Sequence, residues 1–88
     1  MSIFTFQMNY KLNKNQFNLI IKNLQQYCDK ISCKKFYIEL HYNKSEGIYY
    51  LDIVLEVDNE DEKIDVDLIN LVEFYIHEFQ QGHDDKVF

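Results

Sequence analysis

The chain has no proline and only two glycines among its 88 residues. Hinges, cis-proline turns, long linkers and glycine-rich phosphate loops therefore have almost nothing to be built from. Arginine is missing as well, since all nine basic residues are lysine. No apolar run approaches the ~20 residues that span a bilayer. The opening Met1-Ser2-Ile3-Phe4-Thr5-Phe6 carries neither a basic leader nor a small-residue cleavage site. Neither export nor membrane insertion is expected, and the expected compartment is the cytoplasm of a bacterial host. Serine is scarce, with Ser2, Ser32 and Ser45 all outside any strand-to-helix nucleophile turn. The two cysteines, Cys28 and Cys33, lack the further ligands of a zinc pattern and are expected as free thiols in a reducing compartment. Cys28 falls on an apolar helix face and is expected to be inert, and Cys33, beside Lys34 and Lys35, implies no partner histidine.

What the chain does have is apolar mass. Hydrophobic residues make up 47% and aromatics 16%, with seven Phe and seven Tyr, which is too hydrophobic for a disordered segment. A chain of this length buries only about 60–65% of its unfolded surface and cannot divide that into two cores. Residues 1–88 are therefore expected to form a single α+β domain, with 83–88 as a short C-terminal tail. The bias toward Lys, Asn and Ile fits an AT-rich genome, that of a low-GC bacterium or its phage.

Charge is divided unevenly. Residues 1–44 hold seven lysines and two acids, Asp29 and Glu39, a balance of +5. Residues 45–88 hold Lys63 and Lys86 against thirteen acids, a balance of −11, which makes up the net −6. A concentrated field steers partners, whereas a mixed surface only keeps a protein soluble. The densest stretch, 56–67, carries seven acids in twelve positions: Glu56, Asp58, Glu60, Asp61, Glu62, Asp65 and Asp67.

Hydrophobic periodicity organises the rest. Residues 3–10 alternate strictly, with Phe4, Phe6, Met8 and Tyr10 on one side, and predict a first strand. From Lys14 to about Cys28, ending by Ile31, Phe17, Ile20, Ile21, Leu24, Tyr27 and Cys28 recur at helical spacing, with Asn13 or Asn15 as cap. Period 2 returns in 36–42 and 49–57. A loop at Lys44–Gly47, with Gly47 at positive φ, would set Asn43 opposite Ile48 and Tyr42 opposite Tyr49, so that both apolar rows share a face. Val66, Ile69, Val72, Ile76 and Phe79 then trace a second helix, capped by Asp65 or Asp67 and stopped at Gly82. A right-handed crossover makes the first two strands parallel, and the hairpin makes the third antiparallel to both. The expected fold is a two-layer β-α-β-β-α domain whose third, most apolar strand is central, in order β1-β3-β2, with both helices on one face.

The uncovered face should then show Ile3, Thr5, Gln7 and Asn9, then Tyr37, Glu39, His41 and Asn43, then Tyr50, Asp52, Val54 and Glu56. Exposed tyrosines on a sheet suggest base stacking, but the interspersed carboxylates oppose phosphate, so direct nucleic-acid binding is disfavoured. The hairpin register sets Glu39 opposite Asp52, a like-charge pair that forfeits the ~0.2–1 kcal/mol of a good cross-strand contact. A flat face offers no pocket for catalysis. Asp58, Glu60 and Glu62 alternate as in a calcium loop, yet Lys63 stands where that loop needs glycine and Ile69 where it needs glutamate. Glu73 and His77, or His83 with Asp84, lack a third strong metal ligand. No metal, no cofactor and no enzymatic activity are expected.

These observations lead to a non-enzymatic, acidic, protein-binding inhibitor that occupies a basic nucleic-acid-binding site as a nucleic-acid mimic. Its partner would be a basic protein surface, that of a nucleic-acid-binding protein or nuclease. The expected contact residues are Tyr37, Glu39, Tyr50, Asp52, Glu56, Asp58, Glu60, Asp61, Glu62, Asp65 and Asp67. In size, charge and composition, though in no motif, the chain resembles small acidic phage proteins that block host defence, anti-CRISPR proteins among them. The alternatives are a bacterial immunity protein or antitoxin, and a homodimer or assembly subunit joined through sheet edges or the open face.

Overall fold

The computed structural model describes residues 2–58 and 62–81. Along them run β1 (Ser2–Met8), α1 (Lys14–Lys30), β2 (Lys35–Asn43), β3 (Ile48–Glu56) and α2 (Glu62–Gln80). The strands form one three-stranded sheet in the order β1-β3-β2, with β3 antiparallel to both neighbours, and with the two helices make an α+β fold. The expected topology is thus the observed one. So is the hairpin register, with Asn43 opposite Ile48, Tyr42 opposite Tyr49 and Glu39 opposite Asp52.

Local chemistry explains the turn. Gly47 adopts φ 68 and returns its N–H to the Asn43 carbonyl at 2.8 Å. The Asn43 side chain accepts the Ser45 N–H at 3.0 Å, so one residue pins both ends of the loop. Helix α1 starts with a reciprocal capping box: Asn13 Oδ1 accepts the Gln16 N–H, and Gln16 Oε1 accepts the Asn13 N–H, both at 2.8 Å. That pair accounts for Gln16 being buried.

Both helices lie on the sheet face that carries Phe4, Phe6 and Met8, with Ile38 and Leu40, and Leu51, Ile53 and Leu55. Ile20, Leu24 and Cys28 of α1 meet Leu68, Val72, Ile76 and Phe79 of α2 over that face in one apolar cluster. Among the described residues, no helix is long and apolar enough to cross a membrane.

Two boundaries differ from the sequence expectation. Strand β1 stops at Met8, which already pairs with Tyr49 beside the hairpin end of β3, so Asn9 is not on the sheet face. Tyr10 leaves the strand but stays against the core, its hydroxyl donating to the Ile76 carbonyl at 3.1 Å. Helix α2 begins at Glu62, so neither Asp65 nor Asp67 is its cap. The cause is Ile64, which packs on the core and opens a stripe continued by Leu68, Leu71, Val72, Tyr75, Ile76 and Phe79. That stripe keeps the 3.6-residue period, whereas Val66 and Ile69 fall outside it and are exposed. The stop at Gly82 and the tail 83–88 lie outside the described residues.

Candidate partner-binding surface

The face of the sheet away from the helices displays three rows. Cross-strand pairing sets Thr5 and Glu39 on either side of Asp52, Gln7 and His41 beside Tyr50, and Ile3 and Tyr37 beside Val54. The third row is apolar. Val54 is only 5% exposed, flanked across the ladder by Ile3 and Tyr37, themselves 62% and 40% exposed. Lys35 extends the row toward Glu56, its register partner, and its Nζ lies 5.6 Å from the Tyr37 ring centroid, in cation–π range. The face thus carries a lysine in addition to the residues that the sequence pattern placed on it. β2 starts one residue earlier than its apolar alternation indicates, and Lys35 shares the parity of Tyr37.

The middle row resolves the like-charge conflict. His41 Nε2 lies 3.0 Å from Glu39 Oε2 and 3.2 Å from Asp52 Oδ2. A hydrogen on that nitrogen lies within reach of both carboxylates. The Thr5 hydroxyl donates to the other side of Asp52, Oδ1, at 2.7 Å. Glu39 is adjacent on its own strand, two residues from His41, and Asp52 is diagonal across the ladder, within reach of a long side chain. The hairpin register could therefore have identified His41 as the bridging group. Sequence reasoning put it on the face but assigned it no role.

Tyr50 is half-buried, and its hydroxyl donates to Glu46 Oε2 in the hairpin loop at 2.8 Å. That hydrogen bond to a carboxylate, followed by desolvation and the Glu46 charge, holds its phenol above the usual tyrosine range.

The remaining acids cluster where β3 runs toward α2. Lys34 Nζ meets Asp58 Oδ1 at 2.6 Å, and the Lys34 N–H donates to the Glu56 carbonyl at 2.7 Å, tying the α1–β2 turn to the end of β3. Asp67 is half-buried between the helices and accepts the Tyr27 hydroxyl at 3.3 Å. Glu56, Glu62 and Asp65 are exposed, and no ion pair reaches them among the described residues. Glu62 and Asp65 also sit in the first turn of α2, where the helix dipole favours negative charge. Glu60 and Asp61 lie outside the described residues.

The expected contact residues thus divide into two places. Tyr37, Glu39, Tyr50 and Asp52 share the open face with Glu56 at the end of β3, where Asp58, Glu62 and Asp65 follow at the β3–α2 corner, with Asp67 turned inward toward Tyr27. Among the described residues, no group of three or more His, Cys, Asp or Glu side chains is placed to hold a metal ion. Compared with known protein families, curated proteins and solved structures, the chain matches none.

Proposed function

We propose that the protein acts without catalysis by docking its acidic β3–α2 corner onto a basic protein surface that otherwise holds nucleic acid. The observation that carries this is the exposure of Glu56, Glu62 and Asp65 with no ion pair among the described residues, in a stretch whose sequence holds seven acids in twelve positions. Glu62 and Asp65, three apart on α2, stand about 5–6 Å apart. The corner therefore offers carboxylates at rigid spacings. Such carboxylates release fewer counterions than a duplex does, so apolar contact must add affinity. The neighbouring Ile3, Tyr37 and Val54 row supplies it, since part-exposed aromatics are the usual anchors of an interface. In this role the chain is an anti-CRISPR-like inhibitor of the phage type, acting in the bacterial cytoplasm.

The test is capture from a low-GC bacterial lysate, with the wild type and an E56Q/E62Q/D65N variant side by side. A duplex is then added to compete. The wild type should retain a basic partner that the duplex displaces, while the variant keeps about a tenth or less of it. Equal recovery by both chains at moderate salt, or a partner that nucleic acid does not displace, sinks the mimicry. A wild-type mass of two chains in solution without any partner would favour assembly through the edges of β1 and β2 instead.

A further inference from the structure

Helix α1 ends in a Schellman cap. Ile31 closes the last turn and Ser32 takes the left-handed conformation at φ 57. The Cys33 N–H then bonds the Cys28 carbonyl at 2.9 Å, and the Ser32 N–H points to the Asp29 carbonyl at 3.4 Å. This cap brings together one side chain from the last helical turn and one from just beyond it, a place ordinarily taken by an apolar pair. Here the pair is Cys28 and Cys33. The backbone hydrogen bond keeps their Cα atoms within the roughly 7 Å beyond which no disulfide closes. Both cysteines also line one surface recess, with Gln25, Asp29, Lys34 and Phe36 around them.

We propose that Cys28 and Cys33 form a dithiol oxidation site that takes a hydroperoxide and closes into an intrachain disulfide. The site is independent of the acidic corner and goes beyond the function proposed for it.

The surroundings assign the order of events. Cys33 is part-exposed and meets the oxidant first, while Cys28 is buried. Burial, then the charge and hydrogen bond of Cys33, then the charge of Asp29 push the Cys28 thiol up to about 12, so it enters second. The Cys33 thiolate attacks one peroxide oxygen and the O–O bond breaks. Cys33 becomes a sulfenic acid, and the released alkoxide or hydroxide takes up the thiol's proton. The Cys28 sulfur then attacks the Cys33 sulfur, the S–O bond breaks, and the Cys28 proton leaves with the hydroxide as water. Two thiols and one hydroperoxide thus yield one disulfide, one water and one alcohol or second water, with two electrons passing from sulfur to oxygen. To make the bond, the Cys33 sulfur must turn away from the Lys35 and Glu56 carbonyls, now at 2.8 and 3.4 Å. Closure therefore releases one of the contacts that hold the α1–β2 turn against β3.

Hydrogen peroxide is the probe. The treated chain should be about 2 Da lighter, for the two hydrogens lost, and both thiols should become unreactive to maleimide together. Trypsin cuts after Lys30, between the cysteines. Peptides 23–30 and 31–34 should therefore stay joined until reductant is added. Cys33→Ser should slow loss of the remaining thiol about 10-fold or more, and Cys28→Ala should let Cys33 run on to sulfinic acid. If Cys28→Ala does not fold, the peptide map of the wild type decides alone. Sulfinic acid at Cys33 with Cys28 still a thiol, or a bridge found only between two chains, overturns the proposal.

Discussion

Two acidic regions of the molecule differ in what answers their charge. On the open face, Glu39 and Asp52 stand opposite each other, and His41 and Thr5 meet them within the fold. At the β3–α2 corner, Glu56, Glu62 and Asp65 are exposed with no ion pair among the described residues. The same residue type thus has two fates. Two carboxylates that a ladder sets opposite each other are close enough to need an internal partner, whereas carboxylates at an element's end can be left to solvent or to another molecule. In the function proposed above, the corner acids serve recognition, while the sheet-face acids also have partners within the fold.

The strongest way to break it is to neutralise each region in turn. E56Q/E62Q/D65N should lower partner affinity about 10-fold or more, while E39Q/D52N should change it no more than about 3-fold, both read by titration calorimetry on the captured partner. Equal losses would erase the distinction. The corner variant should change stability only slightly, because losing the dipole contribution of Glu62 and Asp65, about 0.3–1 kcal/mol each, is offset by relief of self-repulsion.

A smaller effect is expected from His41→Ala, which leaves Glu39 facing Asp52 with no ring between them. The variant should lose about 0.5–1 kcal/mol in urea unfolding, a modest amount because these groups are partly solvated. Adding salt or the second change Glu39→Gln should restore most of it. Lys34→Ala tests the boundary between the regions by releasing Asp58 to the corner. Association with a basic partner should quicken about 2-fold by steering, with stability changed by about 0.5 kcal/mol or less. The smallest effect is local. Glu46→Gln removes the carboxylate that favours the neutral Tyr50 phenol, so the Tyr50 pKa should fall toward the usual range in an NMR titration. Corner binding should not change.

Much of the fold was legible in the residues. Strict alternation defined the strands, and a single glycine at positive φ, placed between two apolar rows, allowed one register that kept both rows on one face. Asn13 and Gln16, three apart, form the reciprocal pair that marks a helix start. The start of α2 was less legible, because the acidic run read as loop and hid Ile64, whose burial draws the helix back to Glu62. For the surface, composition located the acids but not their partners. His41 and Lys35 belong to the face by parity, which sets them two residues from Glu39 and Tyr37 on β2, and the hairpin register sets His41 diagonal to Asp52; the side-chain contacts themselves emerge only in the folded sheet.

The sequence by itself determined the order and type of the elements, the hairpin register and the concentration of negative charge in the second half. These depend on periodicity and on neighbours a few residues apart, which a linear string records. Only the tertiary structure decided which carboxylates are met from within. Thr5 reaches Asp52 from 47 positions away, and Lys34 meets Asp58 across the end of the sheet. Such pairings depend on side-chain reach between strands brought together by the burial of one apolar core, which no local pattern encodes.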